Sequence, residues 1–166
     1  GNRLRLWERH DFKPRPDDIF LERLYCVQWM RPKKKGKADD YEFRTVTPED
    51  LRRERVVEEF VTEHLADWQG KGWVPDMRIE PGDETERLYR ERGWTHWHHL
   101  FNPRQLLVAG FVNRFSDAPL KLGMAQVLNG SARLTRWSLG DGDGRSGGVK
   151  GAFDNQALNT LFNYGT

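Results

Sequence analysis

Two periods of hydrophobic and polar positions divide this chain. Tyr41-Glu42-Phe43-Arg44-Thr45-Val46 alternates apolar and polar residues, the period of a strand with one wet face. Residues 19–31 carry the aromatic and β-branched enrichment of a second strand around Tyr25, Val27 and Trp29. The charged stretch between them, Arg31 to Asp40, reads as a long hairpin loop. From Thr47 the period lengthens. Thr47 is placed to cap a helix, Pro48 suits its first position, and Glu49 and Asp50 sit on the positive end of its dipole. Leu51, Val57, Val61, Leu65 and Trp68 then form a helical stripe, which Gly70 or Gly72 ends.

Residues 70–84, with Pro75, Pro81 and Gly82, predict a loop. Thr85 is placed to cap a short helix from Glu86 to Arg92, closed by Gly93. Asn102 and Pro103 open another helix reaching Phe115, with an apolar face at Leu106, Leu107, Gly110 and Phe111. A further helix is expected over about Pro119 to Leu128, a strand over Ala132 to Trp137, a loop over Gly140 to Gly148 and a last helix over Asp154 to Phe162. Residues 1–18 are charged, contain Pro14 and Pro16, and read as an arm or linker. The expected class is α+β, a β-hairpin over 19–46 followed by a mainly helical segment over 47–166, with no internal repeat.

Composition narrows this modestly. A chain of 166 residues fits one domain or one piece of a larger enzyme. Its hydrophobic share is only 37%, but seven Trp and nine Phe supply large side chains for a core. No apolar run approaches the ~18 residues of a membrane span, so no membrane partner is expected. The start Gly1-Asn2 shows no signal peptide and suggests a tag remnant or a cut segment. The single cysteine, Cys26, excludes an internal disulfide and a four-cysteine zinc site, and reads as a packed strand residue in a reduced, cytoplasmic protein.

Net charge is +2, unevenly spread. Residues 1–37 hold eleven basic and five acidic side chains (+6), residues 38–101 nine and sixteen (−7), and residues 102–166 seven and four (+3). A polyanion would meet the ends more readily than the middle. Arg31, Lys33, Lys34, Lys35 and Lys37 place five cations on the hairpin tip, suited to nucleic-acid phosphates or to plain solvation.

The densest chemistry lies at Gly93-Trp94-Thr95-His96-Trp97-His98-His99-Leu100-Phe101-Asn102-Pro103-Arg104-Gln105. His96, His98 and His99 lack the i, i+4 spacing of a helical zinc pair, so no metal is expected. The alternative is a polar-aromatic turn in which some rings bond backbone. Trp94 and Trp97 offer either a stacking face for an adenine ring or core packing under the following helix. The helix start, with Arg104 in its first turn, would suit a carboxylate. Gly142-Asp143-Gly144-Arg145-Ser146-Gly147 matches G-x-G-x-x-G only formally, because the helix behind it is delayed and no acid follows at about 20 residues. No Ser/His/Asp set, Cys/His pair or paired carboxylates stands out.

Residues 85–107 resemble a stretch of the large prokaryotic adenine-specific DNA methylases that carry a zinc ribbon, some of which sit in anti-phage defence loci. The resemblance rests on a Gly-aromatic-Thr-x-Trp step at Gly93 to Trp97, followed by Phe101-Asn102-Pro103-Arg104-Gln105-Leu106-Leu107. It extends back through Thr47-Pro48-Glu49-Asp50-Leu51 and Val74-Pro75-Asp76. Forwards it runs through Asn129, Leu134-Thr135-Arg136-Trp137 and Phe153-Asp154-Asn155-Gln156-Ala157-Leu158, and it covers most of residues 20–160.

The resemblance implies a segment of a larger α/β methyltransferase that moves a methyl group from S-adenosylmethionine to the exocyclic amine of adenine in DNA. Phe101, Asn102, Pro103 and Arg104 would line the cofactor site, with free backbone donors at the helix start helping Arg104 to hold the methionine carboxylate. The partners implied are DNA and the remainder of the parent methyltransferase. The chain lacks the family's Asp-Pro-Pro-Tyr motif and the ribbon's paired cysteines, so no catalytic residue is assigned and the segment alone should not methylate. The pocket for a flipped base would lie mainly outside it. The competing reading is a non-enzymatic nucleic-acid-binding module, motivated by the basic termini, the lysine hairpin and the abundant aromatics.

Overall fold

The computed structural model describes residues 4–32, 40–115, 117–138 and 148–150. It is an α+β arrangement in which an antiparallel two-stranded hairpin precedes the helices. Strands β1 (Cys26–Arg31) and β2 (Asp40–Thr45) pair with Cys26 opposite Thr45 and Arg31 opposite Asp40. Helix α1 (Pro48–Gly70) starts where the sequence places it. Thr47 accepts from the Asp50 amide, and the Asp50 carboxylate accepts from the Thr47 amide, closing a capping box. Helix α2 (Glu86–Arg92) ends at Gly93, whose φ of 73° is the left-handed conformation glycine adopts without strain. Thr85 does not cap α2 as expected. Its hydroxyl donates instead to the carbonyls of Glu80 and Gly82, tying the preceding loop.

A single 3₁₀ turn (Trp97–Leu100) leads into α3 (Pro103–Phe115). Helix α4 (Ala118–Ser131) follows, capped by Asp117, and β3 (Arg136–Ser138) pairs with β4 (Gly148–Lys150). The expected final helix at Asp154 to Phe162 lies outside the described residues. None of the described helices is long and apolar enough to cross a membrane.

Two apolar clusters form the core. One holds Trp7, Ile79, Leu88, Trp94, Leu100 and Ala132. The other holds Phe12, Val61, Leu65, Trp68, Val74 and Leu106. Phe101 packs against both, so the corner before α3 joins them. Of the predicted α1 stripe, Val61, Leu65 and Trp68 are buried, whereas Leu51, a turn from the N-terminus, is exposed. Cys26 is half-buried at the start of β1.

Residues 4–18 lack regular helix or strand, as an arm would, yet they are no free linker. Trp7 and Phe12 each belong to a core cluster. Arg5 donates to both Asp11 and Asp18, and its guanidinium holds the Asp18 carboxyl below the usual range. The sequence pattern concealed this because the segment packs through isolated aromatics rather than a periodic stripe.

Helices α1 and α3 meet where Gly110 faces the Trp68 indole. A Cβ on Gly110 would fall 2.8 Å from Trp68 Cε3, and Trp68 is buried against the Phe60 and Phe111 rings. The Gly110→Ala change gains ~1 kcal/mol of helix propensity but overpacks the crossing by ~1–3 kcal/mol. A lower melting temperature is therefore expected in a thermal scan. An equal or higher one would show that the helices separate freely at this point.

Candidate functional site

The segment from Gly93 to Gln105 is built as a knot against the N-terminal stretch. The Gly93 carbonyl accepts from the Trp7 amide at 2.7 Å, and a Cβ at Gly93 would run into the Arg5 carbonyl. Trp94 is 5% exposed and meets Trp7 edge-on, with ring centroids 6.3 Å apart. Trp97 is half-buried against the same cluster. Of the two readings of these indoles, core packing holds for Trp94, which offers no open face for an adenine ring. Ile79 and Trp97 donate their amides to Thr95 and Met77, so this segment pairs with residues 77–79.

The histidines are structural. His98 and His99 are both fully buried. His99 Nδ1 accepts from the Thr95 amide at 3.1 Å, and Nε2 donates to the Glu8 carbonyl at 3.0 Å. His98 Nε2 donates to the Asp11 carbonyl at 3.1 Å, while Nδ1 accepts from Gln69 Nε2 at 3.3 Å. Both nitrogens of each ring are thus engaged with protein, which leaves no lone pair for a metal. Among the described residues no three His, Cys, Asp or Glu side chains are placed to hold one metal ion. Burial, then the neighbouring His96, pushes His98 down to about 4. Burial, then His98 and His96, pushes His99 down to about 2. His96 also lies below its ordinary value, through burial and the nearby Arg78 and Arg9 cations.

Arg133 locks the knot from the far side of the chain. Its guanidinium donates to the carbonyls of His99, Phe101 and Phe12, and forms a bidentate pair with Glu22. Its amide donates to the Leu100 carbonyl at 2.7 Å, and its plane lies 5.5 Å over the Trp7 ring. The sequence reading missed Arg133, because a cation two residues beyond a helix carries no local signal of burial.

The four residues assigned to a cofactor wall fall at this corner. Phe101 bridges the two clusters and Pro103 is buried at the first turn of α3. Asn102 Oδ1 accepts from the Gln105 amide at 3.0 Å, and Gln105 Oε1 accepts from the Asn102 amide at 2.8 Å. The Leu106 amide donates to the Asn102 carbonyl. The expectation of free backbone donors is therefore corrected at Gln105, whose amide the Asn102–Gln105 capping box already satisfies. Arg104 is half-buried, with Nε 3.0 Å from Glu54 Oε1 on α1. Partial burial raises the Glu54 carboxyl above its usual range, against the pull of Arg104. What this corner presents outward is one guanidinium on one carboxylate.

Of the five residues assigned to nucleic-acid contact, Arg31 ends β1 and pairs with Glu42 at 3.2 Å. Lys33, Lys34, Lys35 and Lys37 lie outside the described residues, as do the glycine-rich stretch 142–147 and the match at 153–158. No family model, curated protein or solved structure matches this chain.

Proposed function

We propose that this chain is a segment of an S-adenosylmethionine-dependent DNA adenine methyltransferase, and that the corner at Phe101–Arg104 forms part of its cofactor wall. One observation carries the reading: the motif Phe101-Asn102-Pro103-Arg104-Gln105 is held stiff from three sides while its arginine stays at the surface. Asn102 and Gln105 cap one another, Arg133 ties the carbonyls of His99 and Phe101, and Phe101 is wedged between both clusters. A site completed by other parts of a polypeptide needs such a fixed edge, because a cofactor contact set by loose side chains loses its geometry. With the Gln105 amide closed, the methionine carboxylate falls to the Arg104 guanidinium, released from Glu54 or shared with it. The methyl transfer itself belongs to an Asp-Pro-Pro-Tyr motif that this chain lacks.

The test is titration calorimetry with S-adenosylmethionine on the polypeptide that joins this chain to such a motif. Arg104→Ala is expected to weaken binding by at least tenfold, while Glu54→Gln, which frees Arg104, leaves it equal or tighter. Binding untouched by Arg104→Ala would remove Arg104 from the site.

A further inference from the structure

Strand β2 has an open edge. Among the described residues β1 and β2 pair only with each other, and no strand lies along the far side of β2. A two-stranded hairpin is marginal by itself in water, and an unpaired edge is a template for another strand. Glu42, Phe43, Arg44 and Thr45 are all exposed, Phe43 at 62%. Edge strands are commonly guarded by lysine or proline, and β2 contains neither. Its centre is instead Glu42-Phe43-Arg44. The acid and the base fall on one face of the strand, and the position between them falls on the other.

The paired strands carry no net charge, because Arg31 and Arg44 are matched by Asp40 and Glu42. Glu42 accepts from Arg44 at 3.0 Å and from Arg31 at 3.2 Å. A neutral ribbon has no field with which to draw a polyanion, and none with which to repel a copy of itself. The two edges of the ribbon differ in what they could match. Strand β1 contains no acidic residue, so two β1 edges would offer each other no opposite charges. Strand β2 holds both signs.

We infer that β2 pairs with β2 of a second copy of this chain, antiparallel about a two-fold axis at Phe43, giving a four-stranded sheet in the order β1-β2-β2-β1. The inference goes beyond the methyltransferase reading and does not rest on it. Two identical strands that pair antiparallel are related by a two-fold axis perpendicular to the sheet, so one residue must lie opposite itself. Charge then selects the register. A centre at Asp40, Glu42 or Arg44 sets like charges opposite each other, and a centre at Tyr41 sets Asp40 opposite Glu42. Like charges directly opposite are destabilising. A centre at Thr45 runs past the end of the strand. A centre at Phe43 pairs the two Phe43 residues and sets each Glu42 opposite Arg44 of the other copy. Side chains opposite one another have Cβ atoms about 4.5–5.5 Å apart, so both ion pairs and the aromatic pair can form. The charges that would turn other strands away thus admit this one. A ladder of six residues from each copy is small beside the ~1,200 Å² of stable interfaces, so the dimer should be weak and reversible.

The experiment is sedimentation velocity of the full chain over a hundredfold range of micromolar concentration. A reversible monomer–dimer equilibrium is expected. Arg44→Glu and Glu42→Arg each set like charges opposite at two places, and each should weaken association at least tenfold. Mixing the two variants makes both pairs complementary again, so the mixture should dimerise at least tenfold more tightly than either variant alone. The register is read separately, with the charges left intact. In a Cys26→Ser background, Phe43→Cys should crosslink two copies under oxidised glutathione, whereas Trp29→Cys, on the strand away from the axis, should not. A chain that stays monomeric over the whole range would overturn the inference. So would a dimer indifferent to both charge reversals, a mixture no tighter than its components, or crosslinking at Trp29 in place of Phe43.

Discussion

Acidification from pH 6.5 to pH 4 is expected to remove most of this protein's stability, and His98 and His99 are the cause. Each ring is buried neutral, with Nδ1 accepting and Nε2 donating to a backbone carbonyl of the N-terminal stretch. Their folded-state values, about 4 and about 2, lie below the 6.5 of an exposed histidine. The unfolded chain therefore binds more protons throughout that window, and stability falls as pH falls. It is fully present above about 6.5 and declines toward the folded values. At ~1.4 kcal/mol per pH unit per ring, the loss by pH 4 reaches several kcal/mol. That is comparable with the whole stability of an ordinary domain, ~5–15 kcal/mol. The carboxylates act lower. Burial lifts Asp11, but the Glu8 amide and Arg5 overrule it, so Asp11, like Asp18, ionises below the ordinary 3.8, and their contribution disappears only beneath that value. Thermal scans at half-unit steps separate the two windows. A melting temperature flat between pH 6.5 and 4.5, with loss only below 4, would mean that the rings are not held neutral in the core.

Replacing Arg133 by alanine is expected to cost several kcal/mol, at ~1–3 kcal/mol for each buried carbonyl left without its donor. The substitution strands the carbonyls of Phe12, His99 and Phe101 and opens space over the Trp7 ring. For a chain of this size the melting temperature should fall by roughly 10 °C. Arg133→Lys should recover only part of this, since an ammonium cannot form the bidentate pair with Glu22 and reach three carbonyls together. Glu22→Gln should cost far less, because that carboxylate is 44% exposed. A mild Arg133→Ala phenotype in the same scan would show that the knot is held by its apolar contacts alone.

The helices were legible in the sequence because their ends are encoded locally. Thr47-Pro48 and Asn102-Pro103 each combine a capping side chain with a proline that needs no donor, and Gly93 supplies the left-handed stop. Of the hairpin strands, the second was legible from alternation and the first from its aromatic and β-branched enrichment, although the first is shorter than residues 19–31 suggest. The joints were not legible, since they depend on partners distant in sequence. Thr95 bonds Trp7 across 88 positions, and Arg133 reaches Phe12 across 121. Nothing near Arg133 distinguishes it from a surface cation, and nothing near Trp7 marks its segment as core. The histidine triplet was half legible. Its spacing argued against zinc, but only the folded chain shows which carbonyls the rings meet. The Asn102–Gln105 box was visible as residue types three apart, and its consequence, a closed amide where a ligand seat was expected, was overlooked.

The central claim is that the corner before α3 is a ready-made edge of a methyl-donor site. Hydrogen–deuterium exchange on the polypeptide joining this chain to an Asp-Pro-Pro-Tyr motif, with and without S-adenosylmethionine, tests it most directly. The cofactor should slow exchange at residues 101–108 and at the facing turn of α1 around Glu54, leaving the distant end of α1 unchanged. Cofactor-dependent protection confined to other parts of the polypeptide, with exchange at residues 101–108 unaltered, would contradict it.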